Sequence, residues 1–314
     1  MTSEEKWYRI KKYEEVGSVL GDHDIVIVSI NEEPRSERIL KLVISGQINC
    51  SYLIIQLNCQ LDDSIKRQIE ESNIKVEYLD FVNNSNIQVK VMHYKKALLK
   101  IKYSNICIDM TGFSVPDLFI IMKMLKMNTQ VKKIQVHYVE PTQYKYEMLV
   151  SNNYKYSQGQ LDLIEIPGYG GRFDIKQKRI LIIILGFEDK VSKYFYESVE
   201  PNHLIAINGF PSFIHKYKDI SILNNSILES TGCEKIYHSA ANNPFKLYNK
   251  LAEIIKLDPQ ANYTIAPIGP KPMSLGACLF QLENQKVKIQ FTMPEKFSHK
   301  RVSDGGLRIW EYEV

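Results

Sequence analysis

The chain has few cysteines for its length and none of the spacings that use them in pairs. Five cysteines occur in 314 residues, an odd number, and no Cys-x-x-Cys pair is present. Disulfide frameworks and zinc sites need paired cysteines at short intervals. We therefore expect reduced thiols. Cys107 and Cys278 lie in apolar segments, where a small buried thiol packs well.

Long apolar runs and metal-binding patterns are also missing. No apolar stretch approaches the ~20 residues that cross a bilayer, and the first residues do not show the pattern of a signal peptide. The seven histidines are scattered, with no His-x3-His or Cys/His spacing. The sequence thus predicts a cytoplasmic protein with no membrane partner, no metal and no cofactor.

Strong charge of either sign is absent as well. The 40 basic and 36 acidic residues give a net charge of +4, whereas proteins that bind long nucleic acids concentrate basic residues on one face. Long nucleic acid is therefore not an expected partner. A Gly-x-Ser-x-Gly nucleophile elbow is missing too, which disfavours an α/β-hydrolase.

The chain does contain the same order of predicted strands, turns and helices twice. An apolar strand runs into an acidic turn at residues 25–36 and again at 180–190. A later apolar strand runs into a Gly/Pro turn and a helix at residues 106–116 and again at 263–272. The separation from Glu33 to Gly112 is 79 residues, and that from Glu188 to Gly269 is 81. Such apolar strands, alternating with helices, predict parallel sheets that are covered on both faces.

The length suits two domains of about 150 residues each. The predicted fold is α/β, with two tandem Rossmann-like units in a pseudo-twofold relation, each a mainly parallel sheet with helices on both faces. We predict an N-terminal unit over 1–155, a Gly-rich and polar junction loop over 156–178, and a C-terminal unit over 179–314. The loop is interpreted either as a mobile lid, with Arg172 reaching an anion and Tyr169 stacking on a base, or as a hinge.

The strongest local motif joins a strand to a helix at residues 267–276 and reads Pro-Ile-Gly-Pro-Lys-Pro-Met-Ser-Leu-Gly. Gly269 lets the backbone approach a ligand, Lys271 adds a positive charge and Ser274 a hydroxyl, and the N–H groups of a helix start attract anions. Ligands of parallel sheets bind beyond the carboxyl ends of the strands. The stretch lacks the Walker A and Gly-x-Gly-x-x-Gly spacings. A plain Gly/Pro corner with a solvated lysine is the alternative.

The acidic turn after the first strand of each half is a second candidate. Glu33 would accept hydrogen bonds from a ribose or a base edge, and Arg35 would hold a phosphate through two N–H groups. The alternative is helix capping and compensation of the helix dipole by these carboxylates. No catalytic residue is assigned. The candidate ligand-binding residues are Asn31, Glu33, Arg35, Ser36, Thr111, Gly112, Arg172, Glu188, Gly269, Lys271 and Ser274.

The motif at 267–276 resembles the ligand loop of CRISPR-associated Rossmann-fold (CARF) domains, in which a Thr-Gly-Gly-Thr-Lys-Pro-Met type stretch precedes an apolar helix. The stretch 109–112 in the first half, Asp-Met-Thr-Gly, is similar to the same loop. CARF domains bind cyclic oligoadenylates across a dimer junction. SAVED domains look like two such units in one chain and sense cyclic oligonucleotides in anti-phage systems. The matching positions are Gly269, Lys271, Pro272 and Met273, and those that depart from the family pattern are Ile268 and Pro270.

The resemblance implies a sensor that binds a nucleotide-type ligand, such as a cyclic oligonucleotide, at the junction of its halves and acts with an effector protein in anti-phage defence. Two other functions stay open. One is a metal-independent phosphodiesterase that cleaves such a ligand, with Lys271 stabilising charge in the transition state. The other is a non-catalytic scaffold of a defence complex. A homodimer is compatible with all three.

Overall fold

The chain forms two β-sheets, each at the centre of its own unit. The computed structural model describes residues 9–14, 21–82, 86–99, 101–102, 104–142, 157–297 and 306–314. The first unit comprises Met1–Thr142 and Val302–Val314, and the second comprises Gln143–Arg301.

Seven strands make up the first sheet. They are β1 (Ile10–Tyr13), β2 (Gly21–Ile30), β3 (Ile48–Leu57), β4 (Lys75–Asp80), β5 (Asn105–Asp109), β6 (Lys133–Pro141) and β13 (Gly306–Glu313). In space their order is β1-β13-β6-β5-β2-β3-β4. The five strands from β2 to β6 run parallel to one another, and β13 is antiparallel to both β6 and β1.

Helices cover both faces of this sheet. They are a 3-10 turn (Pro34–Glu37), α1 (Arg38–Ile44), α2 (Asp63–Glu71), α3 (Ile87–Leu98) and α4 (Val115–Met127). Successive strand residues face opposite sides. Val26 and Val28 therefore share a buried cluster with residues of α1 and α2, while Ile25 and Ile27 are buried on the other side. This explains why β2 is apolar without alternation.

The second sheet has six strands. They are β7 (Ser157–Glu165), β8 (Arg179–Ile184), β9 (His203–Gly209), β10 (Lys235–Ser239), β11 (Asn262–Pro267) and β12 (Lys288–Phe297). Its helices are α5 (Asp189–Val199), α6 (Tyr217–Leu223), α7 (Ile227–Ser230), α8 (Pro244–Leu257) and α9 (Lys271–Glu283). The order in space is β10-β9-β8-β11-β12-β7, with β7 antiparallel to β12.

Both sheets place their strands in the same sequence of positions. Counting only the parallel strands of each unit along the chain, the spatial order is third, second, first, fourth, fifth, followed by an antiparallel strand. The predicted α/β fold with two mainly parallel, Rossmann-like sheets is therefore confirmed.

Two segments lie in a different unit or element from the one that the sequence predicted. The predicted junction loop, 156–178, contains β7, which pairs with β12 inside the second unit; residue 156 itself lies outside the described residues. The final strand, β13, was predicted within the C-terminal unit, 179–314, but it pairs with β6 in the first sheet. β7 is an edge strand with mostly exposed polar residues, so its composition resembles a loop. The partner of a terminal strand is not encoded in the strand itself.

A buried ion pair holds β13 against β6. His137 on β6 and Glu311 on β13 are 1% and 4% exposed, and their Nε2 and Oε2 atoms are 3.2 Å apart. Gln135 donates to Glu311 Oε1 at 2.9 Å, and Lys11 Nζ lies 3.1 Å from the same oxygen. On the other side of the imidazole ring, Cys107 Sγ is 3.5 Å from His137 Nδ1. The carboxylate on β13 therefore has partners on two strands, β6 and β1.

These contacts fix the charges of both groups. Burial alone would lower the pKa of His137, but Cys107 and Glu311 outweigh it and raise this pKa to about 10. Burial would likewise raise the pKa of Glu311, yet its bonds to His137 and Lys11 lower it to about 2. Imidazolium and carboxylate are thus both charged at neutral pH.

We expect the first unit to be most stable between about pH 4.5 and pH 6.5. The His137 contribution is complete below the ordinary value of 6.5 and is lost as the pH rises toward 10. The Glu311 contribution is complete above the ordinary value of 4.5 and is lost as the pH falls toward 2. Urea unfolding at about pH 5.5 and about pH 9 measures the first loss.

The variant Glu311→Gln leaves a buried imidazolium without its carboxylate, and we expect it to cost about 3–5 kcal/mol of unfolding free energy. It should also lose most of the alkaline pH dependence. Glu313→Gln, at a carboxylate that is 46% exposed, is the control. The same pH dependence in Glu311→Gln and in the unaltered chain would contradict this account.

Candidate functional site

Each sheet has a pair of loops at the carboxyl ends of its two central strands. We call the loops after β2 and β5 the first corner (residues 31–37 and 110–114). We call the loops after β8 and β11 the second corner (residues 185–188 and 268–274). All predicted site residues except Arg172 lie in one of these corners. The two corners are described separately, and the prediction that one ligand bridges both stays a prediction.

A glycine in each corner presses against the end of the neighbouring strand. A Cβ atom on Gly112 would lie 1.7 Å from the carbonyl oxygen of Ser29 in β2. A Cβ atom on Gly269 would lie 2.8 Å from Ile184 Cγ2 and 2.9 Å from the carbonyl oxygen of Leu185. Only glycine fits so close an approach. Packing within the protein is therefore sufficient to require both glycines, with or without a ligand.

The polar residues of the first corner bind one another. Asn31 Nδ2 donates to the carbonyl of Gly112 at 3.0 Å, and Asn31 Oδ1 accepts from the N–H of Glu33 at 2.9 Å. The hydroxyl of Ser36 donates to the carbonyl of Asn31 and accepts from its N–H, both at 3.2 Å. The structure thus brings these predicted site residues together as a hydrogen-bonded turn.

Glu33 and Arg35 form a buried ion pair, and each is 2% exposed. Arg35 Nε and Nη2 both lie 2.8 Å from Glu33 Oε2. Arg35 Nη1 donates to the carbonyl of Val139 at 2.7 Å and to the hydroxyl of Tyr138 at 3.3 Å. The Glu33 side chain makes no capping bond to the 3-10 turn, so that alternative is not what the described residues show. The pair fastens the corner to the end of β6, and its contact with a ligand stays a prediction.

Thr111 and the start of α4 complete the first corner. Thr111 is buried, its N–H donates to Asp109 Oδ1 and its hydroxyl accepts from the N–H of Val139, both at 2.9 Å. The Ser114 side chain caps α4 by accepting from the N–H of Asp117 at 3.2 Å. Asp117 lies in the first turn of α4 and pairs with Lys90 Nζ at 2.9 Å. A capped helix start with a carboxylate is unfavourable for a second anion.

At the equivalent helix start, the second corner has a basic residue in place of an acidic one. Lys271 is the first residue of α9 and is partly exposed. The preceding residue, Pro270, cannot cap the helix with a side-chain hydrogen bond, and the first turn contains no acidic residue. The dipole of α9 and the lysine therefore favour an anion at the same place.

Ser274 and Glu188 both make hydrogen bonds within the second unit. Ser274 is buried, and its hydroxyl donates to the carbonyl of Pro267 at 3.3 Å. Glu188 precedes α5 without capping it, and its two oxygens accept from the N–H and the hydroxyl of Ser157, at 2.7 and 2.8 Å. Glu188 thus anchors the first residue of β7. The predicted ligand contacts of both residues stay predictions.

Arg172 lies at the amino ends of the strands of the second sheet, whereas the second corner lies at their carboxyl ends. Its N–H donates at 3.0 Å to the carbonyl of Lys286, just before β12 begins. Asp174, two residues later, exchanges hydrogen bonds with Asn262, the first residue of β11. Lys271 instead follows the far end of β11. The geometry therefore does not bring Arg172 to Lys271, because the loop from β7 returns along the amino ends of the strands.

The loop that was interpreted as a lid, which contains Tyr169 and Gly171, is held by buried contacts and hydrogen bonds. Tyr169, a candidate for stacking on a base, is fully buried with its hydroxyl 3.2 Å from Cys278 Sγ on α9. Its carbonyl accepts from the N–H of Ile289 at 2.9 Å. Gly171 has a φ of +67°, and a Cβ atom there would lie 2.6 Å from the N of Lys288. These contacts favour an ordered connection between β7 and β8 over a lid.

Sequence reasoning missed Gly186, which belongs to the second corner. A Cβ atom on Gly186 would lie 2.4 Å from the carbonyl oxygen of Ile268. Two glycines, Gly186 and Gly269, therefore permit the approach of these two loops. The available signal was a glycine two residues before Glu188, in the place that Asn31 takes before Glu33.

Two other kinds of feature are absent from the part of the chain that the structure describes. No helix there has both the length and the apolar character needed to cross a membrane. Nor do three or more histidine, cysteine or acidic side chains there form a group that could hold a metal ion.

Comparisons with known proteins find similarity in fold. No protein-family model and no curated protein matches the sequence. A Type III CRISPR defence DNA nuclease activated by cyclic oligoadenylate has a similar structure, with a TM-score of 0.52 and 8% identity. The match covers 87% of this chain and 65% of the nuclease chain, so the chain spans less than two thirds of that protein's length. At this identity the likeness shows the fold alone.

Other matched structures are more distant. One is a protein of unknown function from Pseudomonas aeruginosa, with a TM-score of 0.25, 10% identity, and coverage of 89% of this chain and 94% of that chain. Another is the cytoplasmic domain of a prokaryotic cation chloride cotransporter, with a TM-score of 0.27, 10% identity, and coverage of 88% and 98%. Scores this low carry no argument about function.

We expect Gly269→Ala to destabilise the second unit by about 1–3 kcal/mol, since the new methyl group would overlap the end of β8. Gly170→Ala is the matched control, because a Cβ atom there meets one atom within 4 Å, at 3.8 Å. Gly112→Ala should cost more than Gly269→Ala, since its overlap is with backbone at 1.7 Å. Urea unfolding of the three variants measures this order. Equal midpoints for Gly269→Ala and Gly170→Ala would refute the packing argument.

Proposed function

We propose that the second corner binds the phosphate of a nucleotide-type ligand, such as a cyclic oligonucleotide, and that the chain is a sensor that acts with an effector protein in anti-phage defence. The observation that carries the proposal is the start of α9. Lys271 stands there, in a first turn without acidic residues and without a side-chain cap.

Three positive contributions coincide at this helix start. The first N–H groups of a helix have no acceptor within the helix. The macrodipole adds about half a positive charge at the same end. The ammonium group of Lys271 adds a full charge on a flexible side chain. The equivalent helix of the first unit, α4, has a serine cap and the carboxylate of Asp117 in its first turn.

The fold supports the place of the site. In open α/β sheets, ligands bind beyond the carboxyl ends of the strands where the strand order reverses. In the second sheet this reversal lies between β8 and β11, since the chain moves from β8 to β9 on one side and returns to β11 on the other. Gly186 and Gly269 lie at that point. The second corner therefore occupies the position where such folds bind ligands.

The ligand class follows from the charge and is supported by the comparison of folds. A nuclease of similar fold is activated by cyclic oligoadenylate, which carries several phosphates. Because the likeness concerns the fold alone, the chemical argument for an anion rests on Lys271 and the start of α9. The role in anti-phage defence and the effector protein are further parts of the same proposal.

We expect Lys271→Ala to weaken the binding of cyclic oligoadenylates at least about tenfold, a loss of about 1.4 kcal/mol. The matched control is Lys256→Ala, at an exposed lysine in the last turn of α8. Calorimetric titration with cyclic and linear oligoadenylates of several lengths measures the affinities. A ligand at a hundred times its Kd should also stabilise the unaltered chain by about 2.7 kcal/mol.

Two outcomes would overturn the proposal: no binding of any oligoadenylate to the unaltered chain, or equal affinity in Lys271→Ala and Lys256→Ala. Chromatography of the nucleotide after incubation separates a sensor from a phosphodiesterase. An intact ligand supports the sensor, and linear products support the enzyme.

A further inference from the structure

An aromatic side chain is exposed beside the second corner. Phe210 directly follows β9 and is 45% exposed. The residue before it, Gly209, lies against α9, since a Cβ atom on Gly209 would be 3.4 Å from Met273 Sδ. Met273 is in the first turn of α9, two residues after Lys271. Phe210 therefore lies at the carboxyl end of β9, the same end of the sheet as the proposed phosphate site.

The backbone on both sides of Phe210 is fixed. Its N–H donates to the carbonyl of Ser239 at 2.7 Å, and the carbonyl of Pro211 accepts from the N–H of Ala241 at 2.9 Å. Asn208 Nδ2 donates to the carbonyl of Lys218 at 2.9 Å, which ties the end of β9 to α6. The aromatic ring is thus carried by a pre-ordered loop, and a ligand that uses it bears little cost of ordering.

Cationic and aromatic groups surround the ring. Lys218 Nζ lies 5.1 Å from the centroid of the Phe210 ring. The His238 ring, which is exposed, lies edge-on to Phe210 with centroids 5.8 Å apart. The Lys218 ammonium lies over one face of the ring, and an aromatic ring combined with a basic side chain is the pair of groups with which proteins stack nucleobases and hold phosphates.

The end of β10 adds an independent polar observation. Ser239 is 5% exposed, and the described residues offer its hydroxyl no hydrogen-bond partner. Buried hydroxyls are normally paired. Ser239 is the register partner of Gly209, and its carbonyl oxygen accepts the N–H of Phe210, so its backbone lies beside the residue that carries the aromatic ring.

We infer that Phe210, with Lys218 and His238, is the stacking platform for a nucleobase of the ligand whose phosphate the second corner binds. This inference rests on the proposed function and assigns the base to the end of β9 and the phosphate to the start of α9. Purines are favoured over pyrimidines, because their larger faces bury more aromatic surface.

The test compares three variants of the full chain in titrations with cyclic tetra-adenylate and cyclic hexa-adenylate. Phe210→Ala should weaken the tighter of the two about 5- to 150-fold, the effect of losing one stacked base. Phe210→Trp should restore binding, and its indole fluorescence should be quenched as the ligand binds. Phe173→Ala, at a phenylalanine that is 64% exposed near the opposite edge of the sheet, should bind as the unaltered chain does.

The outcomes separate this inference from the proposed function. If Lys271→Ala weakens binding and Phe210→Ala does not, the stacking platform is wrong and the phosphate site stands. If Phe210→Trp binds as weakly as Phe210→Ala, or is not quenched, Phe210 has a structural role and the inference also fails. If no oligoadenylate, cyclic or linear, binds the unaltered chain, both ideas are overturned.

Discussion

The close approach of neighbouring strand ends is the constraint on which both corners depend. Adjacent parallel strands lie about 4.8 Å apart and end at the same edge, so the loops that leave them compete for one space. A glycine has no side chain, so it allows the two loops to approach without a steric clash. In the first unit Gly112 lies against the carbonyl of Ser29, and in the second Gly186 and Gly269 lie against each other's loops. The helix that follows each contact is thereby set in place, so the position of its first turn is fixed by packing within the protein.

Two corners built on the same contact differ in how their charges are used. In the first corner, Glu33 and Arg35 pair with each other and with the end of β6, and Asp117 pairs with Lys90. Removing a partner from such a buried pair is costly, because the remaining charge keeps its desolvation penalty. A ligand would gain little by competing for these groups. The second corner places Lys271 at an uncapped helix start, where an incoming anion adds a favourable interaction.

The sequence was sufficient for the central parallel strands of both sheets and for the place of the two corners. The apolar strands Ile25–Ile30 and Ile180–Ile184 are buried on both faces, which produces the continuous apolar pattern that predicts them. It was insufficient for β7, an edge strand whose exposed residues are polar, and for β13, whose partner β6 lies far away in the chain.

The roles of single charged residues were harder to predict for the same reason. Arg35 is buried because Val139, 104 residues further along the chain, offers it a carbonyl oxygen. Local composition contains no sign of that partner, and isolated glutamate and arginine residues are usually exposed. The edge at which Arg172 lies depends on the direction in which the loop from β7 returns to β8, which only the pairing of β7 with β12 decides.

The proposed recognition at the second corner has one contribution from charge and one from stacking, and the two would respond differently to solution conditions. The attraction of Lys271 and the start of α9 for phosphate is screened by salt. Stacking on Phe210 buries apolar surface and depends on ionic strength far less. A ligand that used only the phosphate site would lose most of its affinity at high salt and would bind with little regard to its base. A ligand that used both would keep part of its affinity and would be selected by its base, which is the property that a sensor of one particular nucleotide requires.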